Sequence, residues 1–152
     1  MKISDVMTKS PTCATPDTSL TDVATMMIDC DCGAIPVVGD EAARLPLGMI
    51  TDRDIVVRSV AAGLDPSTMV VRDCMSTPAI TIRDDLGLRD AIDLLEEHQI
   101  RRAIVVDRLG KCVGIVASAD IAAHASKRKA GELLREVSQP WAPGNDVGAY
   151  PR

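Results

Sequence analysis

The sequence predicts an α/β (α+β) fold made of two tandem βαββα units packed with pseudo-twofold symmetry. One observation is a repeated strand: CGAIPVV at 32–38 is matched by IRRAIVV at 100–106. A second is a repeated strand and helix start: GMITDRDI at 48–55 is matched by GIVASADI at 114–121. The offset between the copies drifts only from 66 to 68 residues. A unit of about 60 residues has therefore been duplicated, and two copies suit a pair with clefts between them rather than a solenoid.

The first predicted unit covers residues 1–66 and begins with a short strand. Ser19 and Asp22 have the spacing of a capping box, and apolar residues follow at helical intervals. Gly63, with Pro66 just beyond it, ends the last helix of the unit. The predicted elements, in chain order, are the strand Thr12–Ala14, a helix with Leu20, Val23, Ala24 and Met27 on its apolar face, the strands Ala34–Val38 and Leu47–Thr51, and the helix Asp52–Ala62.

The second predicted unit, residues 67–125, repeats this order. A helical segment follows over residues 126–136, and then a tail rich in Pro and Gly that we expect to be flexible up to residue 152. We expect both units to keep their fold without the residues after about Lys129, since these lie outside the repeats. The second unit's predicted elements are Ala79–Ile82, a helix from about Leu86 to His98 with Leu88, Ala91 and Leu95 facing inward, Ala103–Val106, Cys112–Ala117, and a helix from Ser118 to about Ala125.

Charge and aromatic content argue against a nucleic-acid partner. Residues 1–66 carry five Lys and Arg and ten Asp and Glu, and residues 67–125 carry seven and nine. There is no Phe, and the aromatic residues Trp141 and Tyr150 lie in the tail. An acidic body with no aromatic side chains lacks both phosphate neutralisation and base stacking, so we expect no nucleic-acid binding. The core must be aliphatic.

Two further features bear on location. The N-terminal residues have no apolar stretch typical of a signal peptide, and no run approaches the about 18 apolar residues of a membrane span. We therefore expect a cytoplasmic protein without a membrane partner. Its five cysteines are then expected to be reduced.

The junction between the third strand and second helix of each unit is the candidate site. Thr51 and Asp54 bracket the first turn of that helix, and Asp120 takes the place of Asp54 in the second unit. Ala117 replaces Thr51 there, with Ser118 beside it. A helix N-terminus favours a phosphate, and a carboxylate one turn later can accept hydrogen bonds from ribose hydroxyls. The same pattern is typical of a capping box that satisfies only backbone N–H groups, so the residues leave both interpretations open.

Cys30 and Cys32 are the other candidate centre, for thiol chemistry or a metal. A structural zinc site needs four ligands, and the remaining cysteines and histidines show no ligand spacing, so no metal site is predicted. No set of Ser, His and Asp or of Cys and His is suggested either. We therefore do not expect an enzyme. The residues considered as further ligands are Cys13, Cys74, Cys112, His98 and His124.

The duplicated βαββα pattern, with apolar-Pro-Val-Val in one strand and Gly-apolar-apolar-Thr-x-x-Asp after it, resembles the cystathionine-β-synthase (CBS) domain pair, or Bateman module. The resemblance covers residues 1 to about 125, and the stretches 52–66 and 94–107 look like small stand-alone bacterial CBS-pair proteins of the hypoxic-response type. It implies a regulatory module that senses adenosine compounds (AMP, ATP or NAD) in clefts between the units. It also implies a homodimer with four units in a disc and an output through the dimer or an unknown effector protein.

The same resemblance implies roles for particular residues. The motif Asp would hold the ribose, the motif Thr or Ser would reach the phosphates, and residues before the second strand would contact base or phosphate. The basic pair Arg101–Arg102 has Gly33–Ala34 as its counterpart, and we expect neither arginine to cap a helix. The residues so implied are Thr51, Asp54, Gly33, Ala34 and Ile35 in the first unit and Ser118, Asp120, Arg101, Arg102 and Ala103 in the second.

Two alternatives remain open. Because Ala117 lacks the motif hydroxyl and Gly33–Ala34 lack charge, neither unit has a full set of phosphate contacts. In the first alternative, the chain is therefore a structural or stress-response CBS dimer that binds no nucleotide. The second alternative is a redox protein, thiol- or metal-linked, that uses Cys30 and Cys32.

Overall fold

The computed structural model describes residues 1–140. Trp141, Tyr150 and most of the predicted tail lie outside the described residues. Short 3₁₀ turns cover Ile3–Asp5 and Pro66–Thr68, and a π-helical stretch covers Val56–Val60. The strands are β1 (Thr8–Lys9), β2 (Ala34–Val38), β3 (Pro46–Thr51), β4 (Thr81–Arg83), β5 (Arg102–Val106) and β6 (Cys112–Ala117). The helices are α1 (Leu20–Asp29), α2 (Asp52–Ile55), α3 (Val71–Cys74), α4 (Leu88–Glu97), α5 (Ser118–His124) and α6 (Lys127–Glu136).

The chain folds into two compact units whose limits differ from those of the repeat. One, called here the contiguous unit, is Pro11–Ala79. The other, the split unit, combines Met1–Ser10 with the chain from Ile80 to the last described residue, Pro140. The sequence repeat predicts that Met1–Ser10 belong to the first unit. The two assignments differ because β1 pairs with β6, a strand of the second repeat.

The contiguous unit is built on the antiparallel pair β2–β3, in which Ala34 lies opposite Thr51. Ala14 forms a single parallel bridge with Val37, and Ser76 forms a single antiparallel bridge with Met49. The strand predicted at Thr12–Ala14 is thus reduced to one bridge. The core of this unit is aliphatic, as expected, and consists of Ala14, Leu20, Val23, Ile35, Val37, Ile50, Val71 and Cys74.

The split unit contains a four-stranded sheet in the order β1-β6-β5-β4. β4 runs parallel to β5, while β6 is antiparallel to both β5 and β1. α6 packs on α5 and α4. Leu133 of α6 is fully buried, and Val137 after α6 is also buried in the core of this unit. The expectation that nothing after Lys129 supports the fold is therefore wrong.

Glycine recurs at one position of the repeat, and in each unit another segment of the chain passes very close to it. A β-carbon on Gly48 of β3 would collide with the carbonyl oxygen of Ser76. A β-carbon on Gly114 of β6 would collide with the side chain of Met7. In each unit the glycine thus lets a short segment pair with the sheet edge.

Most predicted elements are found, with changes at their ends. Ser19 is the N-cap of α1 and accepts a hydrogen bond from the backbone N–H of Asp22, as predicted. The helix predicted over Asp52–Ala62 is α-helical only to Ile55 and then π-helical to Val60. Ala24, predicted to face inward, is exposed. The mixed α and β fold of two repeated units is confirmed, and the pseudo-twofold packing of the units stays a prediction.

Candidate functional site

In the contiguous unit the motif residues form a closed capping arrangement. Thr51 is the N-cap of α2, and its Oγ1 accepts a hydrogen bond from the backbone N–H of Asp54 at 3.0 Å. Oδ2 of Asp54 in turn accepts one from the backbone N–H of Thr51 at 2.9 Å. Ser76 donates its hydroxyl to Oδ1 of Asp54 at 3.3 Å. Asp54 is only 3% exposed, and both of its carboxylate oxygens are bonded within the protein.

In the split unit the corresponding arrangement is open. Ala117 precedes α5 and has no side-chain acceptor, so only half of the capping box forms. Oδ2 of Asp120 accepts a hydrogen bond from the backbone N–H of Ala117 at 2.8 Å. Among residues 1–140, no hydrogen bond is found to its Oδ1, and the residue is half-buried. Asp120 therefore keeps one oxygen that can accept a bond from a ligand hydroxyl.

The residues before β2 and β5 are joined to the helices by the same backbone contact. The carbonyl of Gly33 accepts from the N–H of Asp52 at 3.0 Å, and the carbonyl of Arg101 accepts from the N–H of Ser118 at 2.8 Å. A β-carbon on Gly33 would collide with the carboxylate of Asp52. The structure thus brings Arg101 next to the start of α5. In the contiguous unit, the matching place beside Gly33 holds the carboxylate of Asp52, in addition to that of Asp54.

The two junctions consequently differ in charge. Beside Gly33, the first turn of α2 carries Asp52, Arg53 and Asp54, a net charge of −1. In the split unit, the first turn of α5 carries only Asp120 as a charged group, and Arg101 and Arg102 raise the local charge to +1. A phosphate is attracted to the second environment and repelled by the first.

Arg101 makes a structural contact that no local pattern in the sequence indicates. Its Nε donates a hydrogen bond to the backbone carbonyl of Val137 at 3.2 Å. Val137 is the C-cap of α6, so Arg101 caps the C-terminal end of that helix, contrary to the expectation that it caps none. Arg102 begins β5 opposite Ala117 and is exposed.

Three of the implied site residues have side chains that face a core instead of solvent. Ala34, Ile35 and Ala103 are all buried; Ile35 lies in the core of the contiguous unit and Ala103 in that of the split unit. Only their backbone groups can approach a ligand. Ser118 is also buried, directly at the start of α5.

A cavity in the split unit lies elsewhere. Its volume is about 390 Å³, and none of the ten implied residues lines it. Its walls are mainly charged: Asp84, Asp85, Asp107, Lys2 and Arg108. Because Leu109 is the only apolar residue among residues 1–140 that line it, the cavity offers adenine little apolar surface, and we do not assign a nucleotide site to it.

The cysteines do not assemble a metal site in the part of the chain that the structure describes. There, no group of three or more His, Cys, Asp or Glu residues is arranged to hold a metal ion. Cys30 is exposed, and its Sγ lies 3.4 Å from Oγ1 of Thr12. Cys32 is partly buried and packs against the core of the contiguous unit. Burial raises the pKa of the Cys74 thiol, so it stays protonated at neutral pH.

The fold and the two junctions define the class of protein: a tandem pair of repeated α+β modules with a strand–helix motif in each. The family model of the CBS domain matches residues 3–60 and again residues 71–127. The chain belongs to the CBS domain family, and it is a tandem CBS domain pair. No helix among residues 1–140 has the length and apolar character needed to span a bilayer.

Two relatives show the similarity along most of the chain. Hypoxic response protein 1 of Mycobacterium tuberculosis is 36% identical over 138 residues, which cover 91% of this chain and 94% of that protein. A CBS domain-containing protein of Bacillus subtilis is 37% identical over 137 residues, which cover 90% and 94%.

Solved structures of CBS-pair proteins have a fold similar to that of this chain. The crystal structure of Hypoxic Response Protein I with two coordinated zinc ions has a TM-score of 0.72 at 36% identity, covering 83% of this chain and 100% of that one. The structure of CBSX2 in complex with AMP has a TM-score of 0.70 at 26% identity, covering 81% and 94%. Tandem CBS pairs of this family are regulatory modules, and this one shares their fold.

Proposed function

We propose that the protein is a regulatory module that binds an adenosine compound such as AMP, ATP or NAD at the split unit. The observation that carries this proposal is the combination, at one junction, of an Asp120 oxygen without a described partner and two arginines. The AMP complex of the related CBSX2 supports the ligand class. In this proposal Asp120 accepts hydrogen bonds from the ribose hydroxyls, and Arg101 and Arg102 bind the phosphates.

The contiguous unit is the weaker candidate. A ribose there would have to replace the hydrogen bonds that Asp54 receives from Thr51 and Ser76. A phosphate would meet the carboxylate of Asp52 beside Gly33. We therefore assign Thr51 and Asp54 a structural role, and we propose one nucleotide site per chain.

Calorimetric titration of the full chain with AMP tests the proposal. Asp120→Ala should weaken AMP binding by roughly ten- to a hundredfold, because a charge-assisted bond to a ribose contributes about 1.5–3 kcal/mol. Asp93→Ala is the matched control, since Asp93 is an exposed aspartate on α4 of the same unit. Its replacement should leave the affinity unchanged.

Comparing AMP with adenosine tests the phosphate contacts. Arg102→Ala should weaken AMP binding and leave adenosine binding unchanged, because adenosine has no phosphate. If AMP, ATP and NAD all fail to bind at millimolar concentration, the nucleotide proposal is refuted. The contacts of Asp54 would then favour the second candidate, a structural or stress-response CBS dimer.

The proposed function also needs a route by which ligand binding affects other molecules. We propose a homodimer that acts through its own surface or through an effector protein. A related structure is described as a hexameric CBS-CP12 protein, so proteins of this fold do form oligomers. The thiol- or metal-linked alternative depends on Cys30 and Cys32, and titration of the wild type, Cys30→Ser and Cys32→Ser with zinc tests it.

A further inference from the structure

The end of α6 and the candidate phosphate contacts share one side chain. α6 ends at Glu136, and the carbonyl of its C-cap Val137 accepts a hydrogen bond from Nε of Arg101. Val137 is buried in the core of the split unit, so this carbonyl is held in place. The backbone of Arg101 is fixed as well, through its bond to the N–H of Ser118. The arginine is thus anchored at both ends, while its residue as a whole is exposed.

Anchoring through Nε leaves the rest of the guanidinium available. An arginine has five N–H donors in a rigid planar fork, and Nε supplies one of them. The two terminal nitrogens, Nη1 and Nη2, point away from Nε and can bind two oxygens of one phosphate side by side. In the contacts of residues 1–140, neither of these nitrogens is bonded to a protein acceptor.

We propose that the C-terminus of α6 positions Arg101 as a phosphate-binding fork, so that phosphate binding and the docking of α6 stabilise each other. This proposal rests on the proposed function for the identity of the phosphate, which belongs to the adenosine compound. A long side chain that is already ordered loses less rotamer freedom when it binds. By linkage, a ligand that binds better when α6 is docked must also hold α6 in its docked state.

Arg102 provides an internal comparison. It is next in sequence, carries the same charge and is exposed, but no described contact joins it to α6. Both arginines are expected to contribute to phosphate affinity. Only Arg101 connects that affinity to α6, so only its replacement alters the helix when no ligand is present.

The coupling gives the module a path for its signal. α6 is the last helix of residues 1–140. Tighter docking of α6 therefore also holds its C-cap Val137 more firmly in the core of the split unit. A partner that recognises α6 or the residues after it would bind differently to the ligand-bound chain.

Hydrogen exchange of the full chain, measured by mass spectrometry with and without AMP, tests the coupling. The peptide that includes Leu133–Val137 should exchange more slowly in the presence of saturating AMP, by roughly fivefold or more. Adenosine, which lacks a phosphate, should bind without this protection. Faster exchange with AMP, or unchanged exchange while calorimetry shows AMP bound, would overturn the coupling and leave the proposed function intact.

Three variants complete the experiment. Arg101→Gln should speed exchange of this peptide without ligand and abolish the protection by AMP. Arg101→Lys keeps the charge but has neither Nε nor a planar fork, so it should behave in the same way. Arg102→Gln should leave exchange without ligand at the wild-type rate. If Arg101→Gln and Arg101→Lys both leave the exchange rate without ligand unchanged, the anchoring contact is refuted. Absence of AMP binding in calorimetry would refute the coupling together with the proposed function.

Discussion

Ser76 donates its hydroxyl to Oδ1 of Asp54, and this bond ties the start of α2 to the segment that follows α3. Nearby, the guanidinium of Arg58 donates to the carbonyls of Cys74 and Met75 at 2.8 and 2.7 Å. The motif carboxylate of the contiguous unit is therefore part of a structural connection. Asp120 in the split unit has no such partner among the described residues.

Replacement of Asp54 should reduce stability and spare ligand affinity. Asp54→Ala removes the Asp54 half of the capping box, worth about 0.5–2 kcal/mol, and leaves the partly buried hydroxyl of Ser76 without its acceptor. We expect a loss of about 2 kcal/mol in the free energy of unfolding, measured by urea denaturation. Asp120→Ala, at the open junction of the split unit, should lower the free energy of unfolding by less than half as much. Equal losses in the two variants would contradict the difference between the junctions.

α6 offers a matched pair of leucines. Leu133 is fully buried, whereas its neighbour Leu134 is 46% exposed. Leu133→Ala should lower the free energy of unfolding by about 2–5 kcal/mol through lost burial and a new cavity. Leu134→Ala should change it by less than about 0.5 kcal/mol. A small effect of Leu133→Ala in thermal and urea melts would show that α6 is not part of the core.

The cysteines should react in an order set by exposure and pKa. Cys30 is exposed and should react first with a thiol reagent under native conditions. Cys74 and Cys112 are buried, and burial raises the pKa of the Cys74 thiol, so both should react only on unfolding. Stopped-flow titration should show that Cys30→Ser loses the fastest phase. Retention of that phase would assign it to another cysteine.

An apolar surface on the contiguous unit should support the proposed homodimer. Val56 and Val60 are exposed one turn apart, followed by exposed Leu64, while the corresponding helix α5 of the split unit is packed by α6. We expect wild-type protein to sediment at about twice its chain mass of 16.2 kDa. Val60→Asp should shift it to monomer. Leu109→Asp, at an exposed turn of the other unit, is the control and should remain dimeric.

Local patterns in the sequence were sufficient for the strands that carry most of each unit. The apolar run Ala34–Val38 and the segment Cys112–Ala117 form strands with those limits. β1 was missed because Thr8–Lys9 contains no alternating apolar pattern, and its pairing depends on β6 far along the chain. The four-residue helix α3 is too short for helical periodicity to reveal it.

The candidate site was predicted only as far as local pattern reaches. The duplicated motif located Asp54 and Asp120, but it did not distinguish a closed junction from an open one. That difference depends on Ser76, which lies 22 residues from Asp54 and contacts it only in the folded chain. The cap that Arg101 provides to α6 spans 36 residues and was missed for the same reason.

The pairing of β1 with β6 also bears on the order in which the chain becomes structured during synthesis. The contiguous unit has its pairing partners within Pro11–Ala79 and can close once that segment has left the ribosome. Thr8–Lys9 leave earlier but must wait for β6, roughly 100 residues later, before they can pair. Thr8–Lys9 thus precede the contiguous unit in synthesis but are fixed after it. An extension placed ahead of Met1 would be carried by a strand that docks at the end of folding.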